Sequence, residues 1–261
     1  MGGQIDAVTV CPADKPVWHP WVRLLDWSNR HGKALAVRLC GGIHPKHLIP
    51  DGDAHEWYLA PLRPDWAVLD VGCGTGRHTL RVQERCRLAM GIDRDPSIWS
   101  RSPHLRVWDF ARRGLPYPSA TFDAALCLDV IEHMDDRPAL LAEIRRVLKP
   151  GGLLFISAPN RETTWRRRLR AAGLPSFSDP DHRVEYTRHE FVGELYAAGF
   201  ALADAVRPTT LDTPWAGLQD ALGACWLPLY AWLHQRRREA VGQSTAESTG
   251  FRAVAAKVDK R

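Results

Sequence analysis

Residues 70–76, Asp70-Val71-Gly72-Cys73-Gly74-Thr75-Gly76, end one apolar run and open a helical one. The run before them, Trp66 to Val71, reads as a buried strand. The stretch after them, RHTLRVQERC at 77–86, reads as a helix. Glycines in such a strand-to-helix turn let the backbone approach a ligand closely while the helix presents its N-terminus. Dinucleotide-binding turns are glycine-rich too, but their third glycine falls one place later. Position 77 is Arg, so that fingerprint fails here.

Outward from this turn, short apolar runs alternate with helical segments: RLAMGID (87–93), HLRVWDF (104–110), FDAALCLDV (122–130) and GLLFISAP (152–159). Strands alternating with helices predict a parallel sheet with right-handed crossovers. The helix before the GLLFISAP strand is well punctuated. Asp135, Asp136 and Pro138 lie at its start, and Leu140, Leu141, Ile144, Val147 and Leu148 form its inner face. Arg145, Arg146 and Lys149 lie near its end, and Gly151-Gly152 stop it. Further elements are expected as a helix from Thr187 to Ala198, a strand near Phe200 to Val206, and a last strand FRAVAAKV (251–258). A ligand with two sugar hydroxyls needs a carboxylate at the end of the second strand, and Asp93 fills that place. Asp109-Phe110, ending the third strand, offers a carboxylate and a ring to an adenine. All these positions fall at the C-terminal ends of parallel strands, where open α/β sheets bind ligands.

VLDVGCGTG (68–76), GID (91–93), WDF (108–110) and the unbroken stretch LPYPSATFDAALCLDVIEHMDDRPALLAEIRRVLKPGGLLFISAPN (115–160) closely resemble class I S-adenosylmethionine-dependent methyltransferases of the small-molecule kind called type 11. The resemblance covers about residues 66–160. It implies a Rossmann-like α/β fold with a mostly parallel seven-stranded sheet, a C-terminal antiparallel strand and helices on both faces, and S-adenosyl-L-methionine as cofactor. Carried over by position, it implies that Asp70 with Gly72, Gly74 and Gly76 holds the methionine part and that Asp93 binds the ribose hydroxyls. Asp109 would accept from the adenine amino group with Phe110 beside the ring. Leu128 would lend its backbone carbonyl to the methionine ammonium, and His133 would face the methyl-transfer end.

A methyl group on a sulfonium is already activated, so catalysis consists mainly of aligning the acceptor and excluding water. A hydroxyl acceptor still needs a base. His133 is the first candidate, and His182, in Ser178-Asp179-Pro180-Asp181-His182-Arg183, is the second. His44 and His47 precede the core with no accompanying carboxylate or cysteine set, so no metal is expected. Trp57 and Tyr58 read as an apolar lid edge. The fourth strand is followed by Leu128-Asp129-Val130-Ile131-Glu132-His133, which lacks the Pro-Pro-aromatic motif of nucleic-acid amino-methylases, and Cys127 lacks the preceding Pro of cytosine C5 enzymes. Nucleic acid is therefore not expected as a partner.

Of the 261 residues, 45% are hydrophobic and 25% charged, as in soluble globular proteins, and the net charge of +5 is modest. The chain carries 11 Trp and, among 35 basic residues, only 6 Lys. Six scattered cysteines, with no close pair, read as free thiols in a reducing compartment. The N-terminal residues lack both the basic start and the apolar run of a signal peptide, so a cytoplasmic location is expected. Residues 1–60 read as an N-terminal cover containing one helix, Trp21 to Leu39, with Leu24, Leu25, Leu35 and Val37 inside. Residues 61–261 read as a methyltransferase domain with a Trp/Arg-rich insertion at about 207–250. Within the insertion, the apolar part from Ala221 to Leu233 spans about 20 Å as a helix, too short for a hydrocarbon core of roughly 30 Å. Its Trp and Arg residues suit a membrane surface or an anionic, lipid-linked acceptor, so peripheral contact through 215–238 is an expectation. The expected function is methyl transfer to a small-molecule, glycan or lipid-linked acceptor at oxygen. The alternatives are a non-catalytic binder of the same cofactor and a nucleotide-dependent oxidoreductase.

Overall fold

The computed structural model of the protein describes residues 19–49, 56–95 and 102–258. Five strands, β1 (Ala67–Val71), β2 (Leu88–Asp93), β3 (Leu105–Val107), β4 (Phe122–Leu128) and β5 (Leu148–Pro159), run parallel. Three more complete the sheet: β6 (Phe200–Leu202), the two-residue β7 (Arg207–Pro208) and β8 (Gly250–Lys257). The order is β3-β2-β1-β4-β5-β8-β6, with β7 also paired to β8, and β8 runs antiparallel to β5, β6 and β7. The reversal of strand order between β1 and β4 creates the crevice in which such sheets hold ligands.

The apolar runs are continuous because both faces of the sheet are covered. Side chains alternate between two cores. Leu69, Val71, Ala125, Cys127, Leu154 and Ile156 face one core, into which α4 (Arg137–Val147) inserts Leu140, Leu141, Ile144 and Val147 and α6 (Arg188–Ala197) inserts Phe191 and Leu195. Val68, Ala124, Leu126 and Phe155 face the other, shared with Val82 of α2 (Arg77–Gln83) and with Tyr58. Each fully buried Leu or Phe contributes about 1.5–3 kcal/mol over its exposed state.

Caps fix where the helices begin. Asp136 accepts the Ala139 N–H at 3.0 Å to start α4. Thr187 and Glu190 form a reciprocal capping box at the start of α6. The glycine pair after α4 does not end it: the helix stops at Val147, and Leu148 already pairs with Phe122 in the sheet. β6 is also shorter than expected, ending at Leu202.

Two expectations change. In α1 (Pro20–Leu39), Leu24 and Leu35 are exposed, while Asp26 and Ala36 are the buried positions. The reason lies in what α1 packs against. Its neighbour is α7 (Ala216–Cys225), and the contact is made by small and polar groups. A Cβ on Gly32 would come within 2.3 Å of the Gly217 carbonyl oxygen, and one on Gly217 within 1.9 Å of the Asn29 carbonyl oxygen. The Gly217 N–H also donates to Asn29 Oδ1. Tyr58, for its part, is fully buried rather than at a lid edge, with its hydroxyl 2.7 Å from His78 Nδ1.

The arginines of α5 (Thr164–Ala171) are largely committed to partners. Arg166 is buried against Asp212, which also accepts from Thr163 Oγ1 at 2.6 Å. Arg161 pairs with Glu190, and Arg170 with Glu162. α8 (Leu227–Val241) continues from α7 after a break at Trp226. No helix among the described residues is long and apolar enough to cross a membrane. Cys40, Cys73, Cys86, Cys127 and Cys225 are free thiols; Cys11 lies outside the described residues.

The backbone contact between α1 and α7 generates a prediction. Gly217→Ala forces the helices apart and is expected to lower the unfolding free energy by about 1–3 kcal/mol, read from urea denaturation. Unchanged stability would show that the two helices are not closely seated.

Candidate functional site

The glycine turn is built so that no side chain can replace two of its residues. Gly72 and Gly76 adopt φ of 72° and 77°, and a Cβ would lie 2.4 Å from a Val130 methyl and 2.4 Å from a Leu105 methyl, respectively. Beneath the turn, Asp70 is buried and accepts from Thr79 Oγ1 at 2.6 Å. Burial pushes its carboxyl above the usual range, against the opposing pull of His78 and the Thr79 hydroxyl. Asp70 thus braces β1 against α2 from below the loop.

Asp93, at the end of β2, accepts from the Gly74 N–H at 2.8 Å through one oxygen and from the Asp95 N–H at 3.0 Å through the other. It therefore fixes the loop while each oxygen keeps capacity for another donor. Asp109 stands at the N-cap position of the short helix α3 (Phe110–Arg113) but makes no side-chain cap, and its nearest cation is Arg112 at 3.6 Å. Phe110 is half-buried against the main core. These carboxylates and Leu128 all lie at or just beyond the C-terminal ends of β1 to β4.

Past Leu128 the chain turns sharply. Asp129 takes a positive φ of 55°, and Ser157 Oγ on β5 holds it, accepting its N–H at 3.0 Å and donating to its Oδ1 at 2.6 Å. A 3-10 turn, Ile131–His133, follows. The Glu132 carbonyl accepts the Arg183 N–H at 2.7 Å and the Val184 N–H at 3.3 Å, which docks the segment after α5 onto this turn. That docking brings His133 and His182 together, with ring centroids 4.8 Å apart.

Two carboxylates that the sequence did not single out complete the cluster. Glu132 is 2% exposed, with Oε1 3.9 Å from His182 Nε2 and Oε2 buried without a hydrogen-bond partner. Burial and the neighbouring Asp129 charge push its carboxyl up to about 9. Glu185, 1% exposed, accepts from His182 Nδ1 at 2.9 Å and from the Ser178 hydroxyl. Burial pushes Glu185 up, but His182, the Arg166 charge and Ser178 outweigh it and hold the carboxyl below its usual value. The one signal for Glu132 was its place beside His133 after the fourth strand; Glu185 had none. His44, by contrast, is turned to Asp220 on α7 at 3.2 Å and takes no part in this cluster.

A family described as a methyltransferase domain matches residues 48–205. The chain belongs to that family. A "probable S-adenosylmethionine-dependent methyltransferase" of Mycolicibacterium smegmatis is 31% identical over 143 residues, 53% of this chain and 53% of the relative. Trans-aconitate 2-methyltransferase of Deinococcus radiodurans is 29% identical over 174 residues, 64% of this chain and 61% of the relative. The chain thus spans about half to three fifths of the length of the curated relatives it matches. Among solved structures, a SAM-dependent methyltransferase from Methanosarcina mazei superposes with a TM-score of 0.53 at 19% identity, covering 81% of this chain and 100% of that one. This confirms the Rossmann-like methyltransferase fold. The family's matched region includes the glycine turn, Asp93, Asp109 and both histidines of the cluster.

The brace beneath the turn is testable without any ligand. Thr79→Val leaves the buried Asp70 carboxylate without its hydroxyl donor and is expected to cost about 1–3 kcal/mol of stability in chemical denaturation. A variant as stable as the wild type would mean that the hydroxyl does not hold the carboxylate.

Proposed function

We propose that the protein transfers a methyl group from S-adenosylmethionine to a hydroxyl of a small molecule, a glycan or a lipid-linked intermediate. One observation carries this reading. Val130 packs against Gly72, so the 3-10 turn bearing Glu132 and His133 begins beside the loop that Asp93 fixes through Gly74. Cofactor-type carboxylates and a proton-handling cluster therefore share one edge of the sheet.

The residues present fit the cofactor. The glycine turn lacks the Cβ atoms that would crowd a ligand, and the assignments are Asp70, Gly72, Gly74 and Gly76 for the methionine part, with Asp70 acting through the loop it braces. Asp93 binds the ribose hydroxyls with its remaining acceptor capacity. Asp109 and Phe110 hold the adenine, and the Leu128 carbonyl receives the ammonium. The cofactor supplies an activated methyl on a sulfonium. The protein's task is to align the acceptor, exclude water and receive the acceptor's proton at the cluster of His133 and His182. His133 Nδ1 lies 3.3 Å from the Asp181 carbonyl, so that nitrogen donates and Nε2 is left as the acceptor.

In calorimetric titration, Asp93→Ala is expected to weaken S-adenosylmethionine binding at least tenfold, whereas His133→Ala should leave binding within about twofold and lower turnover at least tenfold. Equal binding by wild type and Asp93→Ala would refute the ribose assignment. Cofactor binding with no S-adenosylhomocysteine released on adding cell metabolites would favour the non-catalytic reading. Tight NAD binding without S-adenosylmethionine binding would favour the oxidoreductase.

A lipid-linked acceptor draws support from the surface. Trp21, Leu24 and Trp27 on α1, Leu218 and Leu222 on α7, and Trp226 and Trp232 are exposed, with Arg236 stacked over Trp232 at 5.4 Å. We assign this face, including 215–238, to peripheral contact with an anionic membrane on its reducing, cytoplasmic side, in keeping with the free thiols. Wild type is expected to float with anionic vesicles, and Trp226→Ser with Trp232→Ser to float at least threefold less. Wild type that stays in the pellet would end this assignment.

A further inference from the structure

We propose that Glu132, His133 and His182 form a divalent-cation site. One ligand atom from each lies within 4.8 Å of the others, and Glu132 Oε1 and His182 Nε2 are 3.9 Å apart. Neighbouring ligands around a tetrahedral zinc at ~2.1 Å stand about 3.4 Å apart. Closing the cluster onto a cation therefore asks for side-chain rotation of the two imidazoles rather than movement of the backbone.

Three independent features point to a cation and not merely to a polar cluster. Glu132 Oε2 is buried without a partner, an arrangement that costs stability unless something occupies it. His182 Nδ1 is held by Glu185 at 2.9 Å, the carboxylate–histidine pairing that orients a metal-binding imidazole and leaves Nε2 with its lone pair. The Ser178 hydroxyl in turn bonds the same Glu185 oxygen, fixing that second layer. His133 Nδ1 is likewise turned to a carbonyl, that of Asp181, so both rings present Nε2. Two imidazoles and one carboxylate leave positions open for exogenous oxygen, and the donor set suits zinc or manganese better than a closed structural site.

The site stands without the methyl-transfer reading. Where that reading also holds, the clause that follows rests on it: a cation on these three residues would bind the acceptor hydroxyl and lower its pKa, so the histidines would hold metal instead of taking up the proton themselves. The expectation of no metal came from His44 and His47, which lie elsewhere.

The test is zinc binding by the full chain after removal of metal with EDTA, followed by calorimetry with Zn2+ and by the visible absorption of added Co2+. Wild type is expected to take up one equivalent. The double variant His133→Ala, His182→Ala should bind at least tenfold more weakly and lose the cobalt band, with circular dichroism confirming that it is folded. Glu185→Gln, which removes no ligand, should weaken binding tenfold to a hundredfold. If the double variant is misfolded, Glu132→Gln replaces it in the same titration, with the same loss expected. Equal stoichiometry and affinity in wild type and the folded variant would overturn the site. S-adenosylmethionine binding, measured in parallel on the metal-free wild type, reports on the methyl-transfer reading separately.

Discussion

Parallel strands must all leave the sheet at the same edge, and the rest of the molecule follows from what that edge collects. β1 to β4 end, in turn, on or just before Asp70, Asp93, Asp109 and Asp129. Carboxylates concentrated in this way repel one another unless each has a donor, and most do. Asp70 has Thr79, Asp93 has the Gly74 and Asp95 amides, and Asp129 has Ser157. Asp109 is the member with only a distant arginine. The distribution of donors divides these acids into those that hold the scaffold and those that keep capacity for a ligand.

The fold was legible because its signals were local. Continuous apolar runs, the glycine turn and the Asp136 cap each act within a few residues, and they placed β1, β2, β4, α4 and the antiparallel last strand. α1 was less legible. Its apolar residues suggested an inner face, but Gly32, Asn29 and Gly217 meet at backbone distance, and that contact, invisible in either segment alone, turns Leu24 and Leu35 outward.

The site was legible in the same measure. Asp93 and the glycines follow from the strand-to-helix turn, whereas the pairing of His133 with His182 depends on two amides, of Arg183 and Val184, reaching one carbonyl. Glu185 becomes a functional neighbour only through that docking. The arginines of α5, conspicuous as a basic run, proved to be mostly internal ties to Asp212, Glu190 and Glu162, which shifts the exposed aromatic character to α1, α7 and the break at Trp226.

The contact of Gly32 with Gly217 joins an element preceding the sheet to one inserted before its last strand. Neither helix can change its residue at the crossing, its length or its tilt without the other yielding. The two additions are thus inherited as a pair: any relative that has lost one is expected to have lost or rebuilt the other, whatever acceptor it has come to use.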